Sequence, residues 1–262
     1  MKHIRTIIDK EWAEIFKNRM VIFTIVLMPL LFTALPLIML SAMGPSLAGS
    51  SDMADVPELF GTTCANLTAT DCMQTYILTQ FLIMFMMMPL IIPITIAAYS
   101  IVGEKTTRSL EPLLASPIRT EELLAGKALA AALPAVAATF LSYLIFFLLI
   151  PVTGASAAIR QYVVSGPWLI GILVIGPLMA IAAVNFAVMV SSRVNDPRVA
   201  EQLSAVLIVP VLGLMFGQLA GVLVINTSLM LISALALALI DLGLVYMGAR
   251  LFQRETILTR WK

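Results

Sequence analysis

The sequence predicts an all-α integral membrane protein. Six transmembrane helices follow an N-terminal interfacial amphipathic helix, both termini lie in the cytoplasm, and residues 1–262 form one transmembrane domain. Three observations predict this. Only 12% of the 262 residues are charged, where a soluble domain carries roughly 25%, and the mean hydropathy is +1.01. Six apolar runs reach the length of about 20 residues that a helix needs to cross a bilayer. The lysines and arginines then fall on one side of the resulting topology. A β-barrel is excluded because its strands alternate in polarity over about ten residues.

The first segment, 1–19, carries Ile4, Ile7, Ile8, Trp12, Ile15 and Phe16 at three- and four-residue spacing, with charges on the other faces. Such a helix lies in the membrane interface with Trp12 at headgroup depth; packing on a soluble partner is the other reading, and the two are compatible on opposite faces. His3, the one histidine of the chain, is read as facing the headgroups. The first run, Met20–Ala42, is read as a span. It is too long for a signal peptide, is interrupted by Pro29 and Pro36, and has no clean small-residue cleavage site.

The connection 43–75 holds Asp52, Asp55, Glu58 and Asp71 and both cysteines, Cys64 and Cys72. It is expected outside, where an oxidising compartment favours a Cys64–Cys72 disulfide closing a small loop, the alternative being two free thiols. The second run, Tyr76–Val102, contains Pro89, Pro93 and the methionines Met84, Met86, Met87 and Met88. Thioethers bind copper(I), but adjacent methionines point in different directions around a helix, so adaptable packing or a tolerant pathway wall is the reading taken.

The remaining runs are Ala128–Ile150 with Pro134, Trp168–Val190 with Pro177, Leu203–Ile225 with Pro210, and Leu229–Gly248. Proline is tolerated in spans because neighbouring groups satisfy the freed backbone. Gly213, Gly217 and Gly221 in the fifth run form a GxxxGxxxG ridge that lets helix backbones approach closely. Asp241 is the one acid placed inside a span. About ten Leu, Ile and Val residues contribute roughly −5 kcal/mol against about +3 for a central Asp, so the helix still inserts. Asp241 is a functional candidate by its position, with a structural hydrogen bond as the alternative.

Orientation follows from the cations. Of sixteen lysines and arginines, Arg160 alone falls on the outer side. The other fifteen, in the N-terminal segment, the 103–127 connection, the fourth-to-fifth connection and the tail, share the opposite side, which the positive-inside rule makes cytoplasmic.

The connection 103–127, within VGEKTTRSLEPLLASPIRTEELLAGK, is the most polar stretch. Leu110, Leu113 and Leu114 share a helical face, and Glu104 sits four residues before Arg108, a favourable helix pair. Pro112 breaks the helix near Glu111. Thr120 reads as an N-cap followed by Glu121 and Glu122, and that helix continues through Gly126 into the third span. The expected object is a short helix below the membrane held between two rigid helices; a solvated loop is the alternative.

This stretch resembles the first cytoplasmic loop of type-2 ATP-binding-cassette exporter permeases. The resemblance rests on Gly103, Glu104 and Lys105, on Ser109, Leu110 and Glu111, on the Leu113–Pro117 run, and on Leu123–Lys127. Thr106 departs from an acid common there, and Arg108 from a glycine. The resemblance implies a permease subunit whose loop is a coupling helix seated in a groove of a separate ATPase subunit. Leu110, Leu113 and Leu114 would fill that groove, ringed by Glu104, Lys105, Arg108 and Glu111. It implies two ATPase subunits, which bind the ATP and Mg, and a second permease subunit forming a homo- or heterodimer in the lipid bilayer. The fifth span would lie near the dimer axis, making Gly213, Gly217, Gln218 and Gly221, with Asp241, candidates for pathway or dimer contacts.

No cofactor and no nucleic acid are expected for this chain. It lacks the G-x-x-x-x-G-K-[ST] pattern, so ATP hydrolysis falls to the partner. One histidine argues against zinc or Ser–His hydrolysis. The runner-up is a self-contained carrier or channel using Asp241, but carriers are built from repeats; no internal repeat is seen, and the polar loop has no role in one.

Overall fold

The computed structural model describes residues 2–46, 60–61, 64, 67–106 and 120–251. Among them every regular element is a helix, and six helical stretches are long and apolar enough to cross a membrane. Helix α1 spans Lys2–Ile15 and α2 spans Arg19–Ser46. Helix α3, Ala69–Thr106, is longer than the expected span at both ends. Thr68 starts it with a reciprocal cap, its Oγ1 accepting from the Asp71 amide at 3.2 Å and donating to Asp71 Oδ2 at 2.8 Å. Helix α4, Thr120–Leu149, runs without interruption through Gly126 into the third span, as its sequence signals indicated.

Helix α3 is the axis of the bundle. It is apolar on every face, and a helix hydrophobic all round is a buried one. Leu78, Leu82, Phe85, Met88, Ile92 and Ala98 are wholly or almost wholly buried among α2, α4 and the later spans. Met86, Met87 and Met88 belong to this core. Helix α2 is just as apolar but peripheral, with Phe23, Leu30 and Ile38 exposed. Exposed apolar faces of this extent match hydrocarbon rather than water as solvent.

The fourth stretch is more broken than the expected Trp168–Val190 run. It follows a 3-10 turn, Ile150–Thr153, that closes the third stretch and ends at Gly154, whose φ of 75° favours glycine. Helix α5, Ala157–Val163, is capped by Ser156, and α6 is the short Gly166–Ile170. A π-helical turn, Gly171–Ile175, joins α6 to α7, Gly176–Ser191. Ser165, Gly166 and Pro167 supply the break. Trp168, fully buried, stacks on Tyr143 and Phe146 and meets Phe85 edge-on.

The fifth stretch corrects the expected Leu203–Ile225 run. Helix α8, Pro197–Ser204, is capped by Asp196, whose Oδ1 accepts from the Arg198 amide at 2.7 Å. A 3-10 turn over Ala205–Leu207 leads into α9, Ile208–Leu219, and the helix stops there. Gly221 has φ 70°. The amides of Val222 and Gly221 bond the carbonyls of Gly217 and Gln218, a Schellman closure. Leu223 folds back so closely that a Cβ on Gly217 would lie 2.7 Å from its Cδ1. The three glycines therefore do not form one helical ridge. Gly217 and Gly221 build a turn within the chain, and Gly213 alone keeps open space around it. The sixth stretch is α10, Thr227–Leu251, started by Asn226, whose Oδ1 accepts from the Leu229 amide at 2.8 Å.

Candidate functional site

The polar stretch singled out by sequence lies only partly within the described residues. Arg108, Leu110, Glu111, Leu113 and Leu114, with the helix break expected near Pro112, lie outside them. Its two necks, the end of α3 and the start of α4, are described, and a buried charge cluster joins them to α1.

The cluster is an alternating ring. Lys127 Nζ, from α4, lies 2.8 Å from Glu11 Oε1 of α1 and 2.7 Å from Glu104 Oε2 of α3. Lys10 Nζ closes the ring, 2.6 Å from Glu104 Oε1 and 3.7 Å from Glu11 Oε1. Ser100 on α3 donates to Glu11 Oε2 at 2.5 Å and accepts from Lys127 Nζ at 3.1 Å. Glu11, Glu104 and Lys127 are 2%, 4% and 8% exposed, while Lys10 reaches solvent. Two carboxylates face two ammonium groups, so every buried charge has an opposite neighbour, the condition for burying charge at all. Burial alone would raise the Glu11 carboxyl; Lys127, Ser100 and Lys10 outweigh it and hold the group below its ordinary range. Burial alone would lower the Lys10 ammonium, and Glu104, Glu11 and Glu14 together raise it instead.

Local sequence explains why the ring forms here. Ile7, Glu11 and Ile15 occupy one face of α1 at four-residue spacing, and all three are buried. Ile7 packs where α4 has Gly126, at which a Cβ would sit 2.8 Å from Ile7 Cγ2. Trp12 donates its indole N–H to the Ala130 carbonyl at 3.0 Å. That carbonyl is free because Pro134, four residues on, has no N–H to give it. The polar edge of Trp12, expected at headgroup depth, is thus spent on α4. The buried face of α1 packs on α4 and α3, and the charged face remains outward.

Other bonds hold the same end of α3 from the opposite side. Lys105 Nζ donates to the Ser192 and Val194 carbonyls, each at 3.3 Å, closing the end of α7. Thr95 Oγ1 donates to Glu201 Oε1 of α8 at 2.5 Å. The two described members of the expected docking set, Glu104 and Lys105, thus have partners inside the chain. Glu104 sits in the ring and Lys105 caps a neighbouring helix.

The other candidates lie apart from the ring. The Cys64 and Cys72 sulfurs are bonded, with Cα atoms 5.2 Å apart. Around them Phe60, Tyr76 and Val224 form a separate apolar cluster at the far end of α3. Gln218 is 1% exposed, and neither of its amide atoms has a hydrogen-bond partner among the described residues. Asp241 is likewise buried, and neither carboxylate oxygen is partnered among the described residues.

Glu11, Ser100, Thr95 and Glu201 had no role by sequence alone, Lys10 entered only as one of the orienting cations, and Lys127 as one of those cations and the last letter of a motif. One signal was present. Glu11 stands on the apolar face of α1 between Ile7 and Ile15, and an acid there demands a buried cation.

A family model described as ABC-2 family transporter protein matches residues 5–251. No curated protein matches the chain significantly. The chain belongs to the ABC-2 transporter family and is a multi-pass membrane component of an ABC transporter.

Proposed function

We propose, with ABC-2 family membership as the premise, that this chain is the permease subunit of an ATP-driven exporter. Two copies, or one copy and a homologous partner, form the pathway, and each couples through residues 103–127 to a separate ATPase subunit that binds ATP and Mg. In this reading the ring end of the bundle faces the cytoplasm, which the placement of fifteen of the sixteen lysines and arginines supports.

The observation that carries this reading is the anchoring of both necks of the 107–119 segment. Glu104 stands two residues before the end of α3, Lys127 lies seven residues into α4, and the two meet at 2.7 Å. A force applied to the segment between them reaches two spans through a stiff base. A slack base would absorb it. The apolar residues Leu110, Leu113 and Leu114 suit a groove on the ATPase. Gly213, exposed on α9 with open space where a Cβ would stand, suits close approach of the second permease subunit.

The test is isolation of the tagged chain from its native membrane in mild detergent, followed by mass measurement of the intact complex. Two permease and two ATPase chains are expected. An active species holding this chain without any ATPase would overturn the proposal.

A further inference from the structure

We infer that the ring Lys10–Glu11–Glu104–Lys127 is an interlock that makes α1 move as one body with the base of the 107–119 segment, with Lys127 as its positioning residue. The inference deepens the proposed coupling and rests on it only for the source of the force.

The contacts of α1 divide in two. Toward α4 they include two that do not involve the ring, Ile7 against Gly126 and Trp12 on the Ala130 carbonyl, besides the Glu11–Lys127 ion pair. Toward α3 the hydrogen bonds and ion pairs run through the ring: Lys10 to Glu104 and Glu11 to Ser100. Lys127 touches both carboxylates and the Ser100 hydroxyl from α4, so one ammonium joins three helices. Its removal leaves α1 on α4 but loosens it from α3. Helix α2 begins four residues after α1 ends. Displacement of the loop base therefore reaches the first span through α1 as well as the second and third spans directly.

Charge neutralisation separates this role from simple folding. Replacing a whole buried ion cluster by neutral residues of similar size is often tolerated, whereas removing one partner is not. The variant Glu11→Gln, Glu104→Gln, Lys127→Met leaves no buried charge of the ring unpaired. Glu11→Gln alone, which keeps Lys127 opposite Glu104, is the milder second variant.

The experiment measures spin-label distances in full-length protein in lipid nanodiscs. Cysteines replace the exposed Ala13 on α1 and either Thr106 on α3 or Leu129 on α4. The native cysteines are disulfide-bonded and do not label. In the unsubstituted ring both distance distributions are narrow. In the neutral variant the Ala13–Thr106 distribution broadens by roughly twofold or more while Ala13–Leu129 stays narrow, with a smaller broadening in Glu11→Gln. Narrow Ala13–Thr106 distributions in both variants overturn the inference. Because the chain is measured alone, these results stand whether or not an ATPase partner is found. With the ATPase added and trapped by ATP and vanadate, the unsubstituted Ala13–Thr106 distance stays fixed, and the neutral variant's shifts. A shift in the unsubstituted protein also overturns the interlock.

Discussion

The two ends of α3 are held by opposite means. At one end Ser100 and Glu104 enter a ring of four charges shared with α1 and α4, and Lys105 and Thr95 reach α7 and α8. At the other end a disulfide and an apolar cluster join Phe60, Cys64 and Val224 to Cys72 and Tyr76 at the helix start. Ion pairs exchange partners without breaking covalent bonds, and their geometry is directional. A disulfide closes its loop whatever the surrounding helices do. The charged end suits a junction where force enters, and the covalent end suits a fixed cap.

The comparison predicts a graded response to mutation. The largest loss of stability belongs to Lys127→Met. It leaves two buried carboxylates, Glu11 and Glu104, with Lys10 as the one remaining cation of the ring, and a buried charge left in excess costs about 3–5 kcal/mol. Thermal unfolding in detergent should show a large drop in midpoint, and a midpoint within a degree of the parent would break the claim that this end depends on paired charge. Next comes Cys64→Ser. Opening a disulfide loop of this size costs about 2–3 kcal/mol in the chain-entropy account. That loss should appear equally in the parent protein treated with reductant, and the Ala13–Thr106 distance should not change. A reductant effect at the ring end would dissolve the contrast between the two ends.

The spans were legible because hydropathy is local: a run of apolar residues announces itself whatever it touches. So was the helix from Thr120 into α4, where an N-cap residue and two acids precede the apolar pattern. The end of α9 was hidden because residues 203–225 are almost continuously apolar. What stops the helix is the left-handed conformation of Gly221 and the return of Leu223 onto Gly217, and the same glycines read as a packing ridge. The loop motif includes Glu104 and Lys127, but the ring they enter did not show. Its hydrogen bonds join residues 94 and 116 positions apart, and no spacing rule covers such distances. Trp12 is similar: its partner carbonyl exists only because Pro134 frees it, a relation between two helices rather than along one.

The smallest stability effect and the largest functional one should coincide in Leu113→Asp. The proposed coupling assigns residue 113 to partner contact, so the substitution should leave the unfolding midpoint within the usual range of surface changes, about 0.5 kcal/mol. A carboxylate placed at an apolar groove contact should cost several kcal/mol of association. The measurement is co-isolation of the tagged Leu113→Asp chain with the ATPase subunit, alongside its ATP hydrolysis in liposomes. Coupling through this segment predicts a folded permease stripped of its ATPase, or one whose ATP hydrolysis no longer drives transport. A Leu113→Asp complex that keeps its full ATPase complement and full transport would contradict it.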